Sequence, residues 1–378
     1  MELNSSDSLC NDTIAWEWLS SLQPPFLALV IILGVVGNTL VLCVFCIQRK
    51  PCSVADVYLG NLAAADLIMV LCLPFWTVTI AQGYQWNFGQ LICKVVNTTI
   101  SMNYYCSILF LVLVSVDRYL ALAKPMKPWK LRRPEWAKRV CLVIWAVGFL
   151  LSLPALLFRK VKFFPNVEVD ACYLVYPHPA WVLQWNLTIN VIGFLVPLPI
   201  ISFCTYHMVR ALKNGGVGIQ PNRVQTERKA TQLILTVLVV FLFCWMPFHL
   251  VRFLDTLDYF QLLPGCLWEH ILEISVQLAS YLGYSNSSIN PFLYVIVGSH
   301  FRKRAKGVFR NLLCARWKDK ASVLTNVTGI SKCNDSLRGS QDKITSLDPR
   351  PVRANISHVS SGVSLGNLSF SSTGKVLH

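Results

Sequence analysis

Charge is scarce in this chain. Asp, Glu, Lys and Arg make up 14% of its 378 residues, against about 25% in ordinary soluble domains. No Lys or Arg precedes Arg49. Residues 1–20 therefore lack the basic start of a cleaved signal peptide, and the first apolar run is expected to direct insertion itself. Internal repeats are absent, as are broken apolar segments in matching positions, which argues against a transporter. Residues 268–298 contain no lysine, which excludes a retinal Schiff base in the last apolar run. An enzyme within the membrane would need a nucleophile with a base or a metal set; no apolar run holds a His and an acid at ligand spacing, so an enzyme is not expected.

Apolar residues make up 54% of the chain. They fall in seven runs, at about 26–47, 56–80, 91–121, 137–158, 183–210, 231–254 and 271–297. A membrane crossing takes roughly 20 residues, and these runs are too long for strands. The expected fold is an all-α membrane protein, a seven-transmembrane helix bundle with a short amphipathic eighth helix. The expected organisation is a tail at 1–25, the bundle at 26–300, helix eight at 301–314 and a disordered tail at 315–378.

The formal charge of +15 is not a nucleic-acid signal, because its distribution follows topology. Arg49 and Lys50 come after the first run, and a cluster from Lys124 to Arg139 after the third. Arg210, Lys213 and Arg228 come after the fifth, and Arg302, Lys303, Arg304 and Lys306 after the seventh. Basic residues in alternate connections mark the cytoplasmic side. The expectation is a multi-pass plasma-membrane protein with its N-terminus outside and its C-terminus inside.

That topology sorts the modification sites. Asn4 and Asn11 open glycosylation triplets on the outside. Four cysteines fall outside, Cys10, Cys93, Cys172 and Cys266. They allow three pairings, of which Cys93–Cys172 with Cys10–Cys266 is favoured. Cys314, after a basic amphipathic stretch, is a candidate for palmitoylation. The tail offers candidate phosphorylation sites at Ser357, Ser360, Ser361, Ser364, Ser369, Ser371, Ser372 and Thr373, in a stretch poor in apolar residues.

Polar residues inside the runs are the functional signal. Asp66 lies within an apolar run, and a carboxylate there must face the bundle interior. Asn103 and Ser107 are four apart on one face of the third run. The seventh supplies Asn286, Ser287 and Asn290. Together they offer one carboxylate and several neutral oxygens, a site for Na⁺ or a proton. Pro197, Pro247 and Pro291 fall mid-run, where each removes a backbone hydrogen bond. Asp117, Arg118 and Tyr119 close the third run. From Cys93 to Arg118 is 25 residues, or roughly 37 Å of helix at about 1.5 Å per residue, a full crossing.

These motifs, Gly37-Asn38, Asp66, Cys93 with Cys172, Asp117-Arg118-Tyr119, Trp145, Pro197, "CWMP" at 244–247 and "NPFLY" at 290–294, resemble the rhodopsin-like class of G-protein-coupled receptors. Within it, "LPFW", "VSVDRYLALAK", "FLDTLD" and "VIVGSHFRKR" are most similar to the kinin (bradykinin) receptors, type 2 more than type 1, from about residue 16 to 310. The resemblance implies that Asp117 holds Arg118 at rest. Arg118, with Tyr119, then turns to receive the C-terminal helix of a heterotrimeric G-protein. Trp245, beside Pro247, resembles the family's rotamer switch. Tyr294, after Asn290-Pro291, resembles the partner of Arg118.

The implied ligand is a cationic kinin peptide with Arg at both ends. Asp255 and Glu273 would hold its first Arg. Trp76, Asn97, Ile100, Phe248 and Gln277 would line the pocket, with Ser101 beside Ile100, and Arg159 would meet the peptide carboxylate. Ten acids at the outer end, among them Asp170, Asp255, Asp258 and Glu273, make a rim that attracts cations. Implied partners are a Gq-family G-protein acting through phospholipase C and calcium, with Gi as a second. Receptor kinases, arrestin and membrane lipid follow, and no nucleic acid. Alternative readings are a type-1-like kinin or other basic-peptide receptor, and a non-signalling scavenger. The sequence departs from the family pattern at Thr205, where a Tyr is common, and at His249 and Arg252, where the type-2 pattern has neutral groups.

Overall fold

The computed structural model describes residues 13–47, 52–123, 133–165, 168–213, 221–263, 265–296, 298, 301–308 and 310. Asn4, Cys10, Asn11, Cys314 and the Ser and Thr sites from 357 to 373 lie outside these residues.

The described chain forms helices α1 (Thr13–Ile47), α2 (Val54–Ala81), α3 (Gly89–Ala123), α4 (Pro134–Leu151) and α5 (Leu153–Phe158). A two-stranded hairpin follows, β1 (Arg159–Phe164) and β2 (Val169–Leu174). Then come α6 (Ala180–Asn190), a π-helical turn at Val191–Leu195, α7 (Pro197–Lys213), α8 (Pro221–Tyr259), α9 (Cys266–Ile296) and a short helix α10 at 301–308. Counting α4–α5 and α6–α7 as one rod each gives seven rods, as the apolar runs require. Six are long and apolar enough to cross a membrane. The seventh, α9, is 31 residues long but polar in its C-terminal third, where Asn286, Ser287, Ser288 and Asn290 are all buried.

The outward faces are what a lipid solvent selects. On α8, Val239, Phe243, Met246, Leu250 and Phe253 are each more than half exposed. They recur at helical spacing along one face, an apolar stripe that a water-soluble bundle would have to cover. The interior is packed: Tyr58, Tyr105, Tyr294, Phe110 and Phe241 are almost fully buried.

Two local features modify the all-α expectation. The first is the hairpin. Arg159↔Leu174 to Phe164↔Val169 pair antiparallel, and Cys172 at the centre of β2 is bonded to Cys93 on α3. Closing a loop of that separation contributes roughly 4 kcal/mol in the chain-entropy account. The Gln90 side chain donates to Arg159 O at 2.9 Å and accepts from Val161 N at 2.9 Å, and Trp86 N donates to Asp170 O at 2.7 Å. The hairpin is thus held against α3 and the α2–α3 loop. The second feature is the π turn. Pro197 has no N–H to offer Gly193 O, and Val196 N bonds instead to Val191 O, five residues back.

α1 begins at Thr13, well before the apolar run. At the other end of the bundle, Ser53 and Asp56 form a reciprocal cap on α2. The same Asp56 accepts Arg304 of α10 at 2.7 Å, while Phe301 packs on Phe45 and Tyr294. α10 is therefore docked on the bundle through its first four residues.

Candidate functional site

Three sites follow along the bundle, starting from the disulfide end. The first is a cavity of about 440 Å³, within the range of about 300–1,000 Å³ usual for ligand pockets. Of the sequence-selected residues, Trp76, Asn97, Ile100, Ser101, Arg159, Phe248, Arg252 and Gln277 line it. Asp255 and Glu273 do not. Asp255 lies half-buried one turn above Arg252, and Glu273 is exposed.

The cavity wall carries two arginines and no carboxylate among its lining residues. Arg159 donates to Cys172 O at 3.0 Å, which leaves its Nε buried without a partner among the described residues. Burial pushes its pKa down to about 10, against the pull of Tyr284 and Tyr176, with Arg252 close enough to repel it. It stays charged at neutral pH. Burial likewise raises Tyr176 to about 12, so that phenol is neutral. Arg252 stacks 5.2 Å above Phe248 and reaches Asp255 Oδ2 at 3.3 Å.

Sequence reasoning missed the phenols. Tyr104, Tyr105, Tyr176, Tyr281 and Tyr284 all line the cavity. For two of them a signal was available, since Gln277, Tyr281 and Tyr284 fall at i, i+4 and i+7 on one face of α9. At the cavity floor Trp245 packs on Tyr104 at 4.7 Å and Phe248 at 5.7 Å between ring centres. His249, 4% exposed, faces Tyr104 Oη at 3.2 Å and Asn190 Oδ1 at 3.1 Å.

Below the floor is the polar cluster. Asp66 is fully buried. Its Oδ1 accepts from Asn103 Nδ2 at 2.9 Å, Ser287 Oγ at 2.8 Å and Ser107 Oγ at 3.3 Å, and its Oδ2 accepts from Asn290 Nδ2 at 2.9 Å. The structure thus brings together Asp66, Asn103, Ser107, Ser287 and Asn290, all named from the sequence. The Oδ1 atoms of Asn286 and Asn290 are buried with no donor among the described residues. A buried carboxylate beside these two unpartnered amide oxygens has the chemistry that suits a hard cation.

At the far end, Arg118 Nε and Nη2 both donate to Asp117 Oδ2, at 3.1 and 2.8 Å. Tyr119 packs on Phe203 and His207 of α7. Tyr294 is buried, and its hydroxyl has no hydrogen-bond partner among the described residues. At the departure, Thr205 buries its hydroxyl unpartnered among the described residues, while Tyr206 is 60% exposed. Tyr206 therefore does not take the inward position of a Tyr at 205. The Cys10–Cys266 pairing falls outside the described side chains.

Comparison with known proteins completes the site. A family model described as 7 transmembrane receptor (rhodopsin family) matches residues 37–294. The chain is 48% identical over 305 residues to the B2 bradykinin receptor of Cavia porcellus, covering 80% of this chain and 82% of that one. To the human B2 bradykinin receptor it is 47% identical over 309 residues, covering 81% and 79%. To the human B1 bradykinin receptor it is 39% identical over 298 residues, covering 78% and 84%. The likeness to type 2 over type 1 read from the motifs agrees with these identities, and the chain belongs to the rhodopsin family of seven-transmembrane receptors.

Proposed function

We propose that the protein is a receptor for a cationic kinin peptide and that it signals through a Gq-family G-protein, phospholipase C and calcium. The observation that carries the reading is the charge layout of the cavity. Two arginines face its interior with no carboxylate among the lining residues, and Asp255 stands at its edge. Bradykinin has a free carboxylate at one end and an Arg with a free amine at the other. Its carboxylate suits Arg159, and its first Arg suits Asp255 and Glu273. The likeness to B2 bradykinin receptors supports the same assignment. Ser101 is a small neutral lining residue, which leaves room for a C-terminal Arg and favours the full-length peptide.

The other parts of the reading rest on placement. The basic connections and α10 face the cytoplasm, and the disulfide end faces outward, where oxidation is allowed. Arg118, released from Asp117, engages the G-protein. The tail, phosphorylated by receptor kinases, engages arrestin. Asp66, Asn103, Ser107, Asn286 and Asn290 hold a Na⁺ that favours the resting state, a reading supported by the buried carboxylate and by the amide oxygens of Asn286 and Asn290, unpartnered among the described residues.

Calcium mobilisation in cells expressing the chain tests the ligand and the coupling together. Bradykinin should raise calcium at lower concentration than the form lacking its last Arg. If the shortened peptide is the more potent, the type-2 assignment is wrong. If peptide binds without any response, the chain is a scavenger.

A further inference from the structure

Arg252 stands between two environments. Its guanidinium lines the cavity, its ring contact is with Phe248, and its only ion-pair partner among the described residues is Asp255, three residues on along α8. That pair is weakly made. The distance of 3.3 Å exceeds the roughly 2.7–2.9 Å of a strong charge-assisted bond. One donor nitrogen is engaged, and the side chains are 22% and 27% exposed, where such pairs contribute little. Asp255 Oδ2 also accepts from Asn186 Nδ2 at 2.9 Å, so the carboxylate is held in place whether or not Arg252 is there. Arg252 Nε is buried and unpartnered among the described residues. Across the cavity, Arg159 has the same unpartnered Nε and lies close enough to feel the charge of Arg252. Tyr176 feels both.

We infer that Arg252 is a specificity-determining residue that changes partner on binding: the ligand's amino-terminal cation takes its place on Asp255, and the released guanidinium joins Arg159 on the ligand's carboxylate. The inference rests on the kinin reading above. Its physical basis is charge conservation. Asp255 accepts one cation for another, while two guanidiniums that repel each other in a cavity without acid gain a shared anion. A guanidinium whose Nε and amine are both free can grip a carboxylate with two parallel bonds. Recognition of the two ends of the peptide is then coupled through one side chain.

The coupling is measurable on the full receptor in membranes with four peptides: bradykinin, its C-terminal amide, and both forms lacking the first Arg. In the wild type, amidation should weaken binding about tenfold more for peptides that keep the first Arg than for those that lack it, the size of one charge-assisted hydrogen bond. In Arg252→Gln the amidation penalty should be the same for both backgrounds. In Asp255→Asn, which frees Arg252 beforehand, it should be large in both. Surface staining normalises each variant, and Asp255→Asn carries the test should Arg252→Gln fail to reach the membrane. Additive end effects in the wild type, or coupling that survives Arg252→Gln, would overturn the exchange and leave the kinin reading standing. Absence of wild-type binding to all four peptides would overturn both.

Discussion

Single residues set how the cavity floor is built, and glycine is used there for closeness of approach. A Cβ on Gly193 would lie 1.6 Å from Tyr104 Oη and 2.5 Å from its Cζ, and one on Gly283 would lie 2.9 Å from Trp245 Cζ3. Tyr104 is ringed by Trp245, Phe248 and His249, so it has nowhere to move. Gly193→Ala is expected to cost at least the roughly 1–3 kcal/mol of ordinary overpacking, seen as a lower melting temperature and reduced surface expression. Adding Tyr104→Phe should recover only part of that loss, because the ring carbon still clashes; full recovery would mean the hydroxyl alone is the obstacle. Ser101 gives a prediction about the ligand. A Lys at Ser101 would add a third cation to a cavity that already has two, repelling a C-terminal Arg side chain. Competition binding should show Ser101→Lys narrowing or reversing the preference for full-length kinin over the shortened peptide. An unchanged ratio would place position 101 away from the peptide's last residue.

Elements carry the signal from one end to the other, and their legibility in the sequence differed by cause. The apolar runs gave away α2, α3 and the rods of α4–α5 and α8 because lipid demands continuous hydrophobicity. The hairpin lies between the fourth and fifth apolar runs and has no sequence signal of its own, since six-residue strands whose outer side chains meet water leave no long pattern. The π turn has no composition signal, only Pro197 as a hint. The first apolar run begins at about residue 26, yet the helix that carries it starts at Thr13. The site was legible wherever charge interrupts an apolar run, as at Asp66 and Arg118, whereas Arg159 came only through the family resemblance. Tyr281 and Tyr284 were legible only through their spacing from Gln277, and Tyr104, Tyr105 and Tyr176 not at all, since they look the same in sequence as core aromatics. α3 is the element that makes a prediction. Arg118 lies about 37 Å along it from Cys93 and is held by Asp117. Arg118→Ala should abolish calcium signalling while bradykinin binding stays within a few-fold. Equal loss of both at normal surface expression would make Arg118 a structural residue.

At the scale of the whole molecule, one carboxylate joins the bundle. Asp66 on α2 accepts hydrogen bonds from α3 and α9. Asn38 on α1 donates to Ser287 O of α9 at 2.9 Å, and Ser288 of α9 donates to Val30 O of α1 at 2.7 Å. Four rods thus meet in a network between the cavity and the Arg118 end. Pro291, directly after Asn290, has its ring carbons 2.8 and 2.9 Å from where a Cβ on Gly37 would be, so α1 and α9 approach closely here and a shift of α9 cannot leave the network unchanged. A ligand that binds one arrangement of these helices better than another shifts the population toward it. A Na⁺ held by Asp66 and the amide oxygens would favour the arrangement in which all of them converge, and an agonist that favours a different arrangement would compete with it by linkage, without sharing a contact. Raising Na⁺ against a constant ionic strength made up with a large organic cation should therefore weaken bradykinin binding several-fold, within the roughly 5- to 150-fold that a coupling of about 1–3 kcal/mol produces. Asp66→Asn keeps the shape and one oxygen but removes the charge, and its binding should no longer depend on Na⁺. A wild type indifferent to Na⁺ would reduce the network to helix packing; a dependence that persists in Asp66→Asn would place the ion elsewhere.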